Sequence, residues 1–166
     1  MKTAQYVLKN SLVGDLYIVA SEDALLNVSW TKQSAPLVKS LDAKSSEIKI
    51  LSKVVKQLNE YFEGRRTNFD IPLSIEGTSF QKNVWRQLRA IPYGKTLAYK
   101  DIAKKIKNEK AVRAVGTANG RNSIAIVIPC HRVIAADGTM GGFGGGLINK
   151  AKLLHLEKIA LKAKAA

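Results

Sequence analysis

The chain has 166 residues, 27 Lys plus Arg against 13 Asp plus Glu, and one Cys. A formal net charge of +14 points to an anionic partner, nucleic acid or an anionic membrane surface, while 46% hydrophobic residues mark the chain as globular rather than disordered. One Cys rules out an internal disulfide framework, and with only His131 and His155 beside it there is little for a structural zinc site.

In chain order, Tyr6 and Leu8, then Leu16 and Ile18, alternate with other residues as strands do, with Gly14-Asp15 as a turn between them. Leu25 to Trp30 offers a third strand. Residues 31–46 are polar and contain Pro36 and several serines, which predicts a loop. Ile48, Leu51, Val54, Val55, Leu58 and Phe62 recur at helical spacing, so a helix is expected over 47–62, stopped by Gly64. Residues 65–77 read as a linker with one extended piece, Phe69 to Leu73, and the domain boundary falls near Gly77. Charge supports a division into 1–77 and 78–166. The first part holds 10 Lys/Arg and 9 Asp/Glu, net +1, and the second 17 and 4, net +13. Scattered surface Lys that merely keeps helices soluble is the competing reading, but the asymmetry favours a basic rear domain that binds nucleic acid.

The rear part reads as mostly helical. Ser79 is a candidate cap for a helix with the stripe Phe80, Val84, Leu88 and Ile91, ended by Pro92-Tyr93-Gly94. A second helix is expected from Tyr99 to Ile106, and a third from Lys110 to Asn119 after the break at Lys107-Asn108-Glu109. Two short helices joined by such a turn are the helix-turn-helix pattern, weak alone and stronger on a basic domain. The third helix is small along much of its surface, at Ala111, Ala114, Gly116 and Ala118, with Arg113 the long side chain near its middle. Tight packing in a core explains this, and so does entry into a narrow DNA groove. Ile124 to Ile128 reads as a buried strand that runs into Pro129-Cys130-His131-Arg132; as the longest aliphatic run it is far too short to span a membrane. Gly138 to Gly146 holds six glycines, whose backbone can approach a ligand closely, but it does not follow a strand as a phosphate loop should. A closing helix over 148–161 would put Leu153, Leu154, Leu156 and Leu161 near the core, with Glu157 its one acid. Lys162 to Ala166 is expected to be a frayed tail. Lys9, Asn10 and Asp15 break any signal-peptide core, so the cytoplasm, in association with DNA, is the expected compartment.

A lone Cys is more often a small core residue than a nucleophile. Cys130 has a different context, an abrupt end to an apolar run with His131 and Arg132 next to it. A nucleophilic thiol needs a base or a positive field to become thiolate. His131 could serve as that base, with Glu157 orienting it, in a Cys-His-Glu relay; a satisfied core histidine is the alternative.

The run Ile128-Pro129-Cys130-His131-Arg132-Val133 resembles the signature of the O6-alkylguanine-DNA alkyltransferases (methylated-DNA–protein-cysteine methyltransferases). The resemblance extends through Phe80 to Trp85, Ile91-Pro92-Tyr93-Gly94, Tyr99, Lys110 to Gly116, Ala118 to Asn122, Leu153-Leu154 and Glu157, and so covers essentially all of 79–157. It implies an α+β protein: a small N-terminal α/β domain with an antiparallel sheet and helix, ribonuclease-H-like, then a mostly helical domain with a winged-helix-like helix-turn-helix. It implies a partner, double-stranded DNA bearing O6-alkylguanine, and a single-turnover transfer of the alkyl group to Cys130 after the base is flipped out, with O4-methylthymine as a further substrate. His131, through a water, would deprotonate Cys130, and Glu157 would hold His131. Asn122 would brace the turn before the active-site segment. Tyr99 would press on the target phosphate and donate a proton to the departing guanine. Arg113 would fill the gap in the base stack, with Ala111, Ala114, Gly116 and Thr117 along the minor groove. Val133, Phe143, Gly144, Gly145 and Asn119 would shape the base pocket. No cofactor and no metal are implied, and the expected form is a monomer, with cooperative assembly on DNA left open.

The chain departs from some relatives at Asn119-Gly120, where they carry Met-Arg, at Gly144, where they carry a polar side chain, and at Ala98, where Ser is frequent. A recognition module without chemistry and a methyl-sensing regulator are the other readings. Cys130, His131 and Glu157 speak against the first. The lack of a sensor domain or Cys cluster before residue 79 speaks against the second.

Overall fold

The computed structural model describes residues 1–165, which divide into two compact units, Met1–Ile75 and a second from Glu76 onward. In the first, β1 (Thr3–Ser11), β2 (Gly14–Ser21) and β3 (Leu25–Ser29) form an antiparallel sheet in the order β1-β2-β3. Tyr6 lies opposite Ile18, and Leu8 opposite Leu16. The β1–β2 turn itself is Leu12-Val13, so Gly14, at φ +90°, opens β2 rather than sitting in the bend. Central β2 buries Leu16, Ile18, Val19 and Ala20. Helix α1 (Ser46–Phe62) packs on this sheet through Ile48, Leu51, Val54 and Leu58 of the predicted stripe, with Tyr61 buried where the spacing predicts Phe62, and Val55 and Phe62 half-buried. The loop after β3 is tied down by buried Gln5, which donates to the carbonyls of Gln33 and Ala35 and accepts from the Gln33 N–H. The extended piece before residue 75 runs beside β3, with Leu25 bonded to the backbone of Pro72 and Ser74.

The second unit opens with α2 (Ser79–Arg89). Its cap is Thr78, not Ser79: the Thr78 hydroxyl accepts from the Gln81 N–H and the Gln81 side chain returns the bond to the Thr78 N–H. This reciprocal capping box needs Gln three residues after the cap, and only position 78 has it. Gly77 lies against Trp85 so closely that a Cβ would fall 2.6 Å from the ring. The Trp85 indole donates to the Ala118 carbonyl at 2.9 Å and so links α2 to α4. Helix α3 (Tyr99–Lys105) and α4 (Val112–Gly120) are the predicted helix pair, each slightly shorter than expected. Ala98 supplies no side-chain cap to α3; Asp101 accepts the Ala98 N–H instead.

Three further expectations are corrected. Ile124 to Ile128 is buried but is no strand: Ile128 bonds back to Ile124, Val127 to Ala125, and Ile126 sits at φ +71°, so the segment curls on itself. Apolar runs this short cannot distinguish a buried strand from a buried turn. The last helix, α5 (Leu147–Ala165), continues through most of the expected frayed tail, of which Ala166 lies outside the described residues. Its buried positions are Lys150, Leu153, Glu157 and Ala160, whereas Leu154 and Leu156 are half-buried and Leu161 is exposed. Among the described residues no helix is long and apolar enough to cross a membrane.

Candidate active site around Cys130

Two very short strands set the site. β4 (Leu97–Ala98) and β5 (Val133–Ile134) pair in parallel, Leu97 with Val133. Tyr99 follows β4 directly, and the single 3-10 turn Cys130–Arg132 precedes β5 directly. Tyr99 lies close enough to Cys130 for the thiol to act on its hydroxyl, although 31 positions separate them in sequence. Asn122 braces the segment between, donating from Nδ2 to the Ile128 carbonyl at 2.8 Å and accepting from the Ile124 N–H at 3.0 Å.

Cys130 is 6% exposed. Burial pushes its thiol up from the ordinary value. A hydrogen bond with Asn122, the nearby Lys150 charge and the N–H groups of Cys130 and His131 oppose that rise. The net direction is upward, so the resting group is a thiol whose proton must be removed before it can attack. His131 is fully buried beside it, and its Nε2 lies 2.9 Å from Glu157 Oε1. Burial lowers the His131 pKa against the raising effect of Glu157. Burial alone would raise the Glu157 carboxyl, but hydrogen bonds from His131 and Arg132 outweigh it and hold the carboxyl down at about 2. An ionised Glu157 fixes the neutral imidazole with its proton on Nε2, which makes Nδ1 the basic nitrogen.

Two groups here were missed from the sequence. Arg132 is buried and donates from Nε and Nη2 to Glu157 at 2.7–3.1 Å, and from Nη1 to the Ile91 carbonyl at 2.8 Å. Lys150 is fully buried; its Nζ donates to the carbonyls of Val133 at 2.6 Å, Gly142 at 3.2 Å and Met140. A signal existed for both. Positions 150, 153, 157 and 160 form one inward stripe of α5, so a Lys and a Glu on it are buried charges, and the adjacent Arg132 is a partner for the acid.

The other expected residues divide by location. Asn119 is 96% buried and donates to the Cys130 carbonyl at 3.4 Å. Val133 is buried next to the thiol turn. Burial and the nearby Cys130 raise the half-buried Tyr99 hydroxyl, against a smaller lowering effect of the Gly142 backbone. The glycine-rich loop meets the site through Met140, Gly141 and Gly142; Phe143, Gly144 and Gly145 lie just beyond, toward α5. On α4, Arg113, Ala114 and Thr117 are exposed on one face and Ala111 is half-exposed. Gly116 faces the Tyr99 ring, and Ala118 is core. Among the described residues no group of His, Cys, Asp or Glu could hold a metal ion.

A buried thiol backed by a His–Glu–Arg cluster, on a unit that also presents a small-residue helix with an exposed arginine, has the makings of a cysteine-centred active site on a nucleic-acid-binding domain. Residues 79–159 match the family described as 6-O-methylguanine DNA methyltransferase, DNA binding domain, and residues 5–75 match its ribonuclease-like domain. The chain is 43% identical to the methylated-DNA–protein-cysteine methyltransferase of Methanosarcina acetivorans, over 92% of this chain and 97% of that one. It is 44% identical to the Haemophilus influenzae protein of the same name, over 96% and 89%. It superposes on a crystal structure of Mycobacterium tuberculosis OGT in complex with DNA with TM-score 0.83 and 40% identity, covering 95% of this chain and 94% of that one. The chain belongs to the 6-O-methylguanine DNA methyltransferase family.

Proposed function

We propose that this protein repairs DNA by direct reversal, moving the methyl group of O6-methylguanine onto Cys130 in a single turnover. The observation that carries the reading is the buried Cys130 thiol beside a His131 whose far nitrogen is held by an ionised Glu157. In the reaction His131 Nδ1, through a water, takes the thiol proton. The sulfur attacks the methyl carbon, the carbon–O6 bond breaks, and its electron pair passes to the guanine. Tyr99, whose hydroxyl is held protonated by burial and by its proximity to Cys130, gives the leaving base its proton. The thioether is inert, and the chain has no second Cys to relieve it, so one equivalent is the limit.

The target base must leave the duplex to reach a thiol this buried. Arg113, exposed on α4, takes its place in the stack, while the short side chains of Ala111, Ala114, Gly116 and Thr117 let the helix approach the groove. Asn119, Val133 and the Phe143-Gly144-Gly145 segment line the base pocket, which also admits O4-methylthymine. Residues 78–166 are the DNA-binding and acceptor domain and 1–77 its support. As a monomer, with Tyr99, Asn122, Cys130, His131 and Glu157 all supplied by one chain, the protein acts on DNA in the cytoplasm.

The test is intact mass after incubation with a duplex carrying O6-methylguanine. One added methyl on Cys130 is expected, with no turnover beyond one equivalent; an unchanged mass, or activity that survives Cys130→Ala, sinks the reading. Arg113→Ala should slow repair of duplex DNA while the fold persists, and an unchanged rate there removes Arg113 from the proposal.

A further inference from the structure

Lys150 has a fully buried ammonium with three backbone carbonyls around it and, among the described residues, no carboxylate within ion-pair distance. Burying a cation without a counter-ion is unfavourable, and Met would fill the same length at no such cost. The acceptors explain its presence. Val133 follows the thiol turn; Met140 and Gly142 belong to the loop of six glycines. Such a loop has a large conformational entropy to lose and few side chains with which to fix itself. Yet its shape matters. Gly141, at φ +67°, lies so close to the Tyr99 hydroxyl that a Cβ there would sit 2.6 Å from its oxygen, and the Gly142 backbone beside it acts on the same hydroxyl.

We infer that Lys150 is a positioning residue of the alkyl-acceptor site: it ties the glycine-rich loop to β5, so holding Gly141 and Gly142 against the Tyr99 hydroxyl, and it presents the positive charge beside which the Cys130 thiolate forms. The inference deepens the function proposed above and rests on it. Two consequences follow from one side chain. Without the ammonium the loop loses its two bonds to Lys150 and its tie to Val133 of β5, and the Tyr99 hydroxyl loses its fixed neighbour. Without the charge, the field that favours a buried thiolate weakens.

The experiment compares Lys150→Met with Lys152→Met, an exposed neighbour on α5. Cys130 is labelled with iodoacetamide across pH, which needs no DNA, and amide exchange of residues 138–146 is followed in the same proteins. Lys150→Met should raise the pH midpoint of labelling by about half a unit or more and speed loop exchange about tenfold, whereas Lys152→Met should change neither. Methyl transfer from duplex DNA should fall about tenfold in Lys150→Met. A folded Lys150→Met protein with the wild-type midpoint and wild-type loop exchange overturns the inference. Should Lys150→Met fail to fold, Gly141→Ala tests the loop arm. It should slow methyl transfer and leave the labelling midpoint unchanged, and a wild-type transfer rate in it overturns the loop's role. If wild-type protein takes no methyl from DNA while the Lys150→Met midpoint still moves, the proposed function fails and the placement of Lys150 stands.

Discussion

The two units bury polar groups for different ends. In Met1–Ile75 the buried Gln5 and Gln57 close loops: Gln5 holds residues 33–35, and Gln57 exchanges bonds with the Asp70 backbone. These are neutral amides bonded to backbone, and the charge buried in this unit, Glu47, pairs with the exposed Lys2 at its edge. The second unit buries four groups of another kind, His131, Arg132, Lys150 and Glu157, around one thiol. Neutral amides complete a fold at modest cost. Buried charges are a poor way to stabilise one, since an apolar replacement of similar volume often does as well or better. Their presence at Cys130 marks the place where the chain gives up packing economy for chemistry.

The largest effect that would break this contrast comes from Glu157→Gln. The amide cannot balance the Arg132 guanidinium, and breaking a buried pair this way costs about 3–5 kcal/mol. Protection from hydrogen exchange should fall in the second unit and hold in the first, and methyl transfer should drop with it. Equal loss in both units would show that the buried charges are not confined in their effect.

Acid is the next test. The folded Glu157 carboxyl, at about 2, lies below the ordinary 4.5, so its contribution is complete above the ordinary value and is lost as pH falls toward 2. Such a shift corresponds to about 3 kcal/mol. His131, lowered from 6.5 by burial, acts in the same direction, because it must charge when the chain unfolds below that value. The second unit should therefore lose stability from about pH 6.5 down to about 2 ahead of the first, and Glu157→Gln should flatten that dependence below pH 4.5. A unit-by-unit acid titration by hydrogen exchange reads it directly.

What the sequence made legible follows the same division. Most of the first unit was readable from periodicity, through alternation at Tyr6, Leu8, Leu16 and Ile18 and then the 3.6-residue stripe of α1, because there the hydrophobic pattern is the structure; the β1–β2 turn was not, since Gly14-Asp15 carries the turn signal while the bend falls on Leu12-Val13. In the second unit Cys130, His131 and Glu157 were found through a local motif and a lone acid. Arg132 and Lys150 were passed over because basic side chains are read as surface by default. The Ile124–Ile128 turn was unreadable for a different reason. Its shape is set by Asn122 and by the positive φ of Ile126, neither of which leaves a periodic trace.

Two smaller predictions sharpen the contrast from the first unit and from the edge of the second. Gln5→Leu leaves the Gln33 N–H and two carbonyls without their partner, a loss of about 1–3 kcal/mol; it should loosen residues 31–38 and leave the iodoacetamide profile of Cys130 unchanged. A shifted profile would mean that the first unit reaches the thiol. Thr78→Ala removes the capping hydroxyl of α2, at about 1 kcal/mol. Because Trp85, two turns on, carries the indole bond to Ala118 in α4, fraying that reached Trp85 would be visible in its fluorescence. The expected result is a small fall in melting temperature with Trp85 emission and methyl transfer unchanged, since the cap holds only the first turn and the buried Val84, Trp85 and Leu88 hold the rest of the helix.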